Sequence, residues 1–137
     1  MPRRSPRMPP PEPAYEVLGS GPVEGGWLLQ VHIPEGSPLF TGHFPGRPIV
    51  PGIFHLALVA RALADWRGAE VDILGVSALR LRSPVGPGET LEVRVRETSG
   101  DVKGGEGIQG FELRRPGSGP VSNGTVRTAR REPGGRR

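Results

Sequence analysis

Residues 52–66, "GIFHLALVARALADW", constrain the fold most: only His55, Arg61 and Asp65 in this run are polar. A helix apolar on nearly all sides is a buried one, because no face of it gains from contact with water. Pro51 suits the first helical position, where its fixed φ is already helical and its missing N–H costs nothing. Gly68 supplies the stop. Arg61 and Asp65 stand four residues apart, placed to pair where the helix emerges. Such a helix needs cover on every side. A curved antiparallel sheet supplies much of it, and a second subunit can supply the rest.

The remainder of the chain reads as β. In "GGWLLQVHIP" (25–34) Trp27, Leu29, Val31 and Ile33 alternate with Leu28, Gln30 and His32, the period of a half-buried strand with His32 facing solvent. Residues 35–51 form a Pro- and Gly-punctuated loop. "VDILGVSALRL" (71–81) is a strand with a bend at Gly75, and "SPVGPGE" (83–89) is a turn. "TLEVRVRET" (90–98) alternates cleanly, "GDVKGGEG" (100–107) is a hairpin turn or flexible loop, and 108–115 and 120–128 give two more strands. No internal repeat is evident. The class is α+β, one long helix wrapped by an antiparallel sheet.

At 137 residues a single domain is expected. Residues 1–14 and 129–137 are basic and rich in Pro or Gly, with little to bury, so both are expected as disordered tails around a domain at 15–128. No cysteine is present, which excludes disulfides and thiol chemistry. No apolar run reaches the ~18 residues of a membrane span. Arg3, Arg4 and Arg7 have no apolar stretch behind them, so no secretory signal is read and a cytoplasmic location is expected. The net charge is +4, but Arg3, Arg4, Arg7, Arg130, Arg131, Arg136 and Arg137 are all terminal. Together with the absence of an aromatic-rich basic strand, this argues against a nucleic-acid partner.

Three features carry potential chemistry. His43 sits between Gly42 and Phe44-Pro45-Gly46, whose backbones set tight turns. A fixed imidazole suits general acid–base work near neutrality. On spacing alone, a loop histidine bonded to a backbone carbonyl is the plainer reading. "PGI" (51–53) opens the helix, where unpaired N–H groups can polarise a carbonyl oxygen. His55, inside the helix, reads as a packed, hydrogen-bonded residue rather than a catalyst. Three histidines without cysteine or carboxylate spacing make no metal motif. "NGT" (123–125) matches a glycosylation sequon that has no meaning without secretion, and Gly104, Gly105 and Gly107 lack the residues of a phosphate loop.

Two long motifs bear a resemblance. "LFTGHFPGRPIVPGI" (39–53) resembles the signature loop of the hot-dog-fold β-hydroxyacyl-(acyl-carrier-protein) dehydratases of bacterial fatty-acid synthesis, and of their relatives in aryl-polyene and polyketide pathways. "RLRSPVGPGETLEV" (80–93) is similar to the family's later strand–turn–strand, and "VSNGTV" (121–126) to its last strand. The resemblance covers roughly residues 25–128 and keeps both motifs in order.

The resemblance implies a hot-dog dimer, homomeric or formed with another hot-dog subunit, that acts on 3-hydroxyacyl thioesters. It implies no cofactor of the protein's own; the acyl chain rides on the phosphopantetheine of an acyl carrier protein or on CoA. His43 falls on the catalytic base, Gly52 and Ile53 on the helix-start donors to the thioester carbonyl, and Phe44, Phe54 and Ala57 on the acyl tunnel. Position 57 is also where the family has its acidic residue, supplied across the dimer, and here it is Ala57. Arg61 is a poor acid, Asp65 lies about 12 Å along the helix, and His55 points elsewhere. Two readings follow: a dehydratase working with His43 as base, or a non-catalytic subunit that binds carrier protein or pairs with a catalytic homologue. Thioester hydrolysis ranks behind both. Arg80, Arg82, Arg94 and Arg96 would form a rim suited to an acidic carrier protein, or simply a solvated sheet face.

Overall fold

The computed structural model describes residues 14–40, 50–102 and 106–131. Strands β1 (Glu16–Val23) and β2 (Gly26–His32) form a hairpin, followed by a 3-10 turn at Pro38–Phe40. Helix α1 (Gly52–Arg67) comes next, then β3 (Val71–Leu81), β4 (Thr90–Val102), β5 (Glu106–Arg114) and β6 (Pro120–Arg130). The strands make one antiparallel sheet in the order β1-β2-β4-β5-β6-β3, with α1 packed against it. This is the α+β, helix-in-sheet arrangement expected from the sequence.

Alternation builds the inner face. Leu29 and Val31 of β2, Leu91, Val93 and Val95 of β4, and Phe111 and Leu113 of β5 are buried, as are Leu58, Val59, Ala62 and Leu63 on the inward face of α1. Each such side chain stabilises the fold by about 1.5–3 kcal/mol relative to leaving it exposed. The helix is not enclosed on every side by the described residues. Ile53, Ala57 and Arg61, spaced by four, form an exposed stripe, and Ile53 is 79% exposed.

The helix ends are close to expectation. Pro51 has φ −59° and ψ 144°, so it is the residue before the first helical one rather than the first itself. At the other end Gly68 adopts φ 70° and its N–H donates to Ala64 O at 2.8 Å. Arg61 and Asp65 pair at 3.0 Å as their spacing implied.

Three boundaries differ from the sequence reading. Strand β1 was not expected; it is an edge strand held to β2 by main-chain pairing, turning through Glu24 and Gly25 (φ 73°). Residues 100–102 and 106–107 belong to β4 and β5 rather than to a loop, because antiparallel pairing continues out to Val102↔Glu106. β6 continues past residue 128 to Arg130. Ala129 is buried, and Arg131 beyond it bonds Asp72 at 2.6 Å and pairs with Glu70, so the domain extends further than the tail boundary allowed. Of the tails expected at 1–14 and 129–137, residues 1–13 and 132–137 lie outside the described residues.

β3 forms the other edge. Its register shifts between Ile73 and Gly75, where a bend was expected, and again between Ser77 and Arg80. Within the second irregularity Ala78 sits at φ 53°, a left-handed conformation that L residues with a Cβ rarely adopt. Val76, Leu79 and Leu81 are exposed along this edge.

Candidate active site

The turn between β3 and β4 fixes where the helix begins. Val85 is fully buried, and its carbonyl accepts the Val50 N–H at 2.7 Å, directly before Pro51. Gly88 (φ 79°) donates to Ile33 O at 2.7 Å, and Ile33 N–H donates to Glu89 O at 2.8 Å. Glu89 then accepts the Gly86 N–H at 2.6 Å and is gripped by Arg115. Two sequence-distant segments, the helix entrance and residues 81–85, are thereby held side by side.

Between them lies a cavity of about 360 Å³. Val50, Pro51, Gly52 and His55 line one side, and Leu81, Arg82, Ser83 and Pro84 the other. Phe54 N–H donates to Pro51 O at 3.0 Å, whereas the N–H groups of Gly52 and Ile53 have no partner among the described residues. They form the positive end of the helix dipole. A Cβ on Gly52 would stand 2.8 Å from Leu81 Cδ1, so glycine keeps this approach open.

His55 faces this cavity from the first turn of α1. It is 3% exposed, and its Nδ1 lies 2.7 Å from Ser122 Oγ of β6. Burial lowers its pKa below the ordinary 6.5, so the ring is neutral at pH 7. The packed, hydrogen-bonded histidine expected from the sequence is confirmed; its place on the cavity wall was not foreseen. Period alone marks His55 as inward-facing, but only the register of β6 brings Ser122 to it.

His43 and Phe44 lie outside the described residues. Of the others singled out, Gly52 lines the cavity, while the Ile53 side chain points outward. Phe54 packs edge-to-face on Tyr15, with ring centroids 5.7 Å apart, and Ala57 is exposed on the outer stripe. Asp65 accepts Ser20 Oγ–H at 2.6 Å and Ser20 Oγ accepts Trp27 Nε1–H at 2.7 Å, so the Arg61–Asp65 pair is anchored to the β1–β2 hairpin. The Arg61 guanidinium is raised in pKa by hydrogen bonds to Asp65 and Tyr15, which leaves it a fixed cation. His32, expected to face solvent, is half-buried with Nδ1 3.3 Å from Thr90 Oγ1 of β4.

The four arginines of the expected rim are all exposed. Cross-strand partners share a face, and the register Arg94↔Glu112↔Asn123↔Arg80 puts Arg94 and Arg80 in one row across β4, β5, β6 and β3. Glu112 interrupts that row, and Arg82 donates to Asn123 Oδ1 at 2.9 Å. A second cavity, of about 480 Å³, opens beyond the helix C-terminus between Arg67, Glu97, Gln109 and Thr128. Its polar groups serve one another: Arg67 pairs with Glu97, and Thr128 donates to Gln109 Oε1 at 2.7 Å. Among the described residues, no group of three or more histidine or carboxylate side chains could hold a metal ion, and no helix is long and apolar enough to cross a membrane.

Comparison with known proteins places this geometry. The family model for ApeI-like proteins, described as ApeI dehydratase, matches residues 23–108. The 3-hydroxyacyl-(acyl-carrier-protein) dehydratase FabZ of Haemophilus influenzae (strain PittEE) is 35% identical over 97 residues, 64% of this chain and 63% of that protein. The chain thus spans less than two thirds of that relative's length. Among solved structures, the dehydratase heterocomplex ApeI:P from Xenorhabdus doucetiae superposes with a TM-score of 0.68 at 19% identity, over 84% of this chain and 97% of that one. The R-hydratase PhaJ1 from Pseudomonas aeruginosa gives 0.58 at 17% identity, over 77% and 79%. At these identities the two structures speak to the fold, which is the hot-dog fold.

Proposed function

Because the chain belongs to the ApeI-like family of hot-dog dehydratases, we propose that it eliminates water from 3-hydroxyacyl thioesters carried by an acyl carrier protein. The observation that carries this reading is the cavity at the start of α1, where the Gly52 and Ile53 N–H groups have no partner among the described residues and Gly52 leaves a glycine-sized opening. Those donors suit a thioester carbonyl, which gains negative charge as the neighbouring C2 proton is removed. His43, which precedes the helix in the loop motif, is the base of this reading. It takes the C2 proton, a double bond forms between C2 and C3 as the C3–O bond breaks, and the imidazolium returns its proton to the departing hydroxyl, which leaves as water.

A second reading is favoured by one observation. Ala57, where the resemblance expects an acid, is exposed on the stripe with Ile53 and Arg61, and the next carboxylate along that face, Asp65, is two turns away and engaged by Arg61 and Ser20. A subunit of this kind is suited to pair with another hot-dog subunit that supplies the acid, with the apolar Leu79 and Leu81 of the β3 edge adding to the contact. The relative ApeI:P is itself a heterocomplex.

The test is an assay on 3-hydroxyacyl carrier protein with the wild type, His43→Ala and Ala57→Glu, each alone and mixed with a co-purified hot-dog partner. Turnover by the wild type alone that His43→Ala abolishes supports the enzyme. Turnover only in the mixture, lost with His43→Ala, supports the paired reading. Wild-type rates equal to His43→Ala under both conditions refute both.

A further inference from the structure

His55 combines three properties that a merely packed residue does not need. It is 3% exposed, it lines the cavity with Gly52, and only one of its ring nitrogens is bonded among the described residues. The single hydrogen bond joins Nδ1 to Ser122 Oγ at 2.7 Å. Among the described residues the second nitrogen, Nε2, has no partner, yet no fully buried side-chain nitrogen or oxygen is left unpartnered. The open space beside the ring is the cavity that His55 lines.

The tautomer follows from Ser122. This residue is fully buried, and its hydroxyl has no other bond among the described residues. If the ring donated from Nδ1, the hydroxyl proton would be left without an acceptor in a dry site, at a cost of about 1–3 kcal/mol. The satisfied arrangement has Ser122 Oγ–H donating to Nδ1, which places the ring proton on Nε2. Among the described residues, Arg82 is the only other charged or titratable one on the cavity wall, and it is engaged with Asn123.

We propose that His55 is a third hydrogen-bond donor at the helix-start site, presenting Nε2–H to the thioester carbonyl oxygen alongside the Gly52 and Ile53 N–H groups, with Ser122 as the residue that fixes its tautomer. The assignment rests on the acyl-thioester reading above. A donor held by a buried serine is preorganised, so it strengthens as charge develops on the oxygen without rearrangement.

The test has a readout that needs no turnover. In the ¹⁵N-histidine-labelled full chain, with His55→Gln used for assignment, imidazole spectra at pH 7.5 should show His55 neutral and protonated at Nε2. The opposite tautomer, or a charged ring, overturns the proposal. Kinetics form the second arm: His55→Leu should lower kcat about 10- to 100-fold with a smaller change in KM. His55→Gln, which keeps an N–H donor and the polar contact to Ser122, should recover much of that loss. Equal kcat in all three folded proteins overturns the proposal. If the wild type proves inactive, the dehydratase reading fails first, and calorimetric binding of a hydrolysis-resistant 3-hydroxyacyl-pantetheine amide decides the rest. Affinity at least tenfold weaker in both His55→Leu and Ser122→Ala sustains the donor; equal affinity, or no binding by the wild type, overturns it.

Discussion

Arg115, just past the end of β5, reaches across to hold Glu89 at the entrance of neighbouring β4, donating from Nη2 to Oε2 at 3.2 Å and from Nε to Oε1. The same guanidinium donates to Pro84 O at 2.7 Å and to Ser83 Oγ at 3.1 Å. One side chain therefore ties together the turn that forms a wall of the cavity. Desolvation pushes the Glu89 pKa up, but hydrogen bonds from Arg115 and the Gly86 N–H, with the Arg115 charge, outweigh it and hold the carboxyl below its ordinary 4.5. A depressed folded-state pKa stabilises the fold fully above the unfolded value, and that contribution is lost as pH falls through the folded one. Glu89→Gln should lower stability by about 1 kcal/mol at pH 7, since the pair is partly solvated, and by less well below pH 4.5. Urea melts of both proteins across this range check it; a deficit that persists undiminished in acid would contradict it.

The buried His55 titrates with the same sign. Its folded-state pKa lies below 6.5 because burial disfavours the charged ring. Stability from this residue is complete above pH 6.5 and declines as the pH falls toward the folded-state value. His55→Gln should flatten that part of the stability–pH curve, measured by thermal melting between pH 5 and 8. An unchanged slope would mean that other groups cause the decline.

Gly52→Ala should separate function from stability. Among the described residues its new Cβ would meet the Leu81 side chain, nearest at Cδ1, the end of a flexible side chain that is 56% exposed and free to turn away. Stability should stay within about 0.5 kcal/mol, the usual range for a change without a buried clash. Occupancy of the cavity mouth should cut kcat/KM for a 3-hydroxyacyl thioester by at least tenfold. Retained activity with a lowered melting temperature is the result that would refute this.

Gly26→Ala and Gly124→Ala should differ in severity. At Gly26 a Cβ would lie 1.9 Å from the Val95 carbonyl oxygen, so the β2–β4 backbones must part. At Gly124 it would lie 2.9 Å from the fully buried Phe111 ring and 3.2 Å from Leu79 Cα, an overpacking cost of about 1–3 kcal/mol. Chemical denaturation should rank wild type above Gly124→Ala, and Gly124→Ala above Gly26→Ala.

Ala78→Gly should act in the opposite direction. At φ 53° the alanine Cβ is strained, and glycine adopts this region freely. A gain of up to about 1 kcal/mol is expected from the same denaturation series.

The sequence made the core legible wherever periodicity was strong. β2 and β4 alternate, α1 is apolar across its inward face, and Gly68 ends the helix as its position implied. β1 escaped notice because "EVLGSGPV" has no alternation to read: its side chains are half or fully exposed, and it is a strand through main-chain pairing with β2 alone. The Glu24-Gly25 pair before Gly26 was the available signal, a tight-turn dipeptide between two extended runs. At the site, the motif located the helix entrance and the turn that faces it. The partnership of His55 with Ser122 was not legible, because they lie 67 positions apart and meet only through the register of β6.

The strand order also dictates when the molecule can be completed. β3 has a single neighbour in the sheet, β6, and their pairing reaches from Val71 to Arg130. While the chain is being synthesised, β3 leaves the ribosome well before its partner exists, carrying Val76, Leu79 and Leu81 on an unsatisfied backbone edge. The β4–β5–β6 meander can assemble from neighbouring segments, but β3 joins only by closing a long loop, which is slow. The half-made protein is therefore most vulnerable to aggregation along the edge it later exposes, and a chaperone or a pairing subunit that arrives early would shield the same residues.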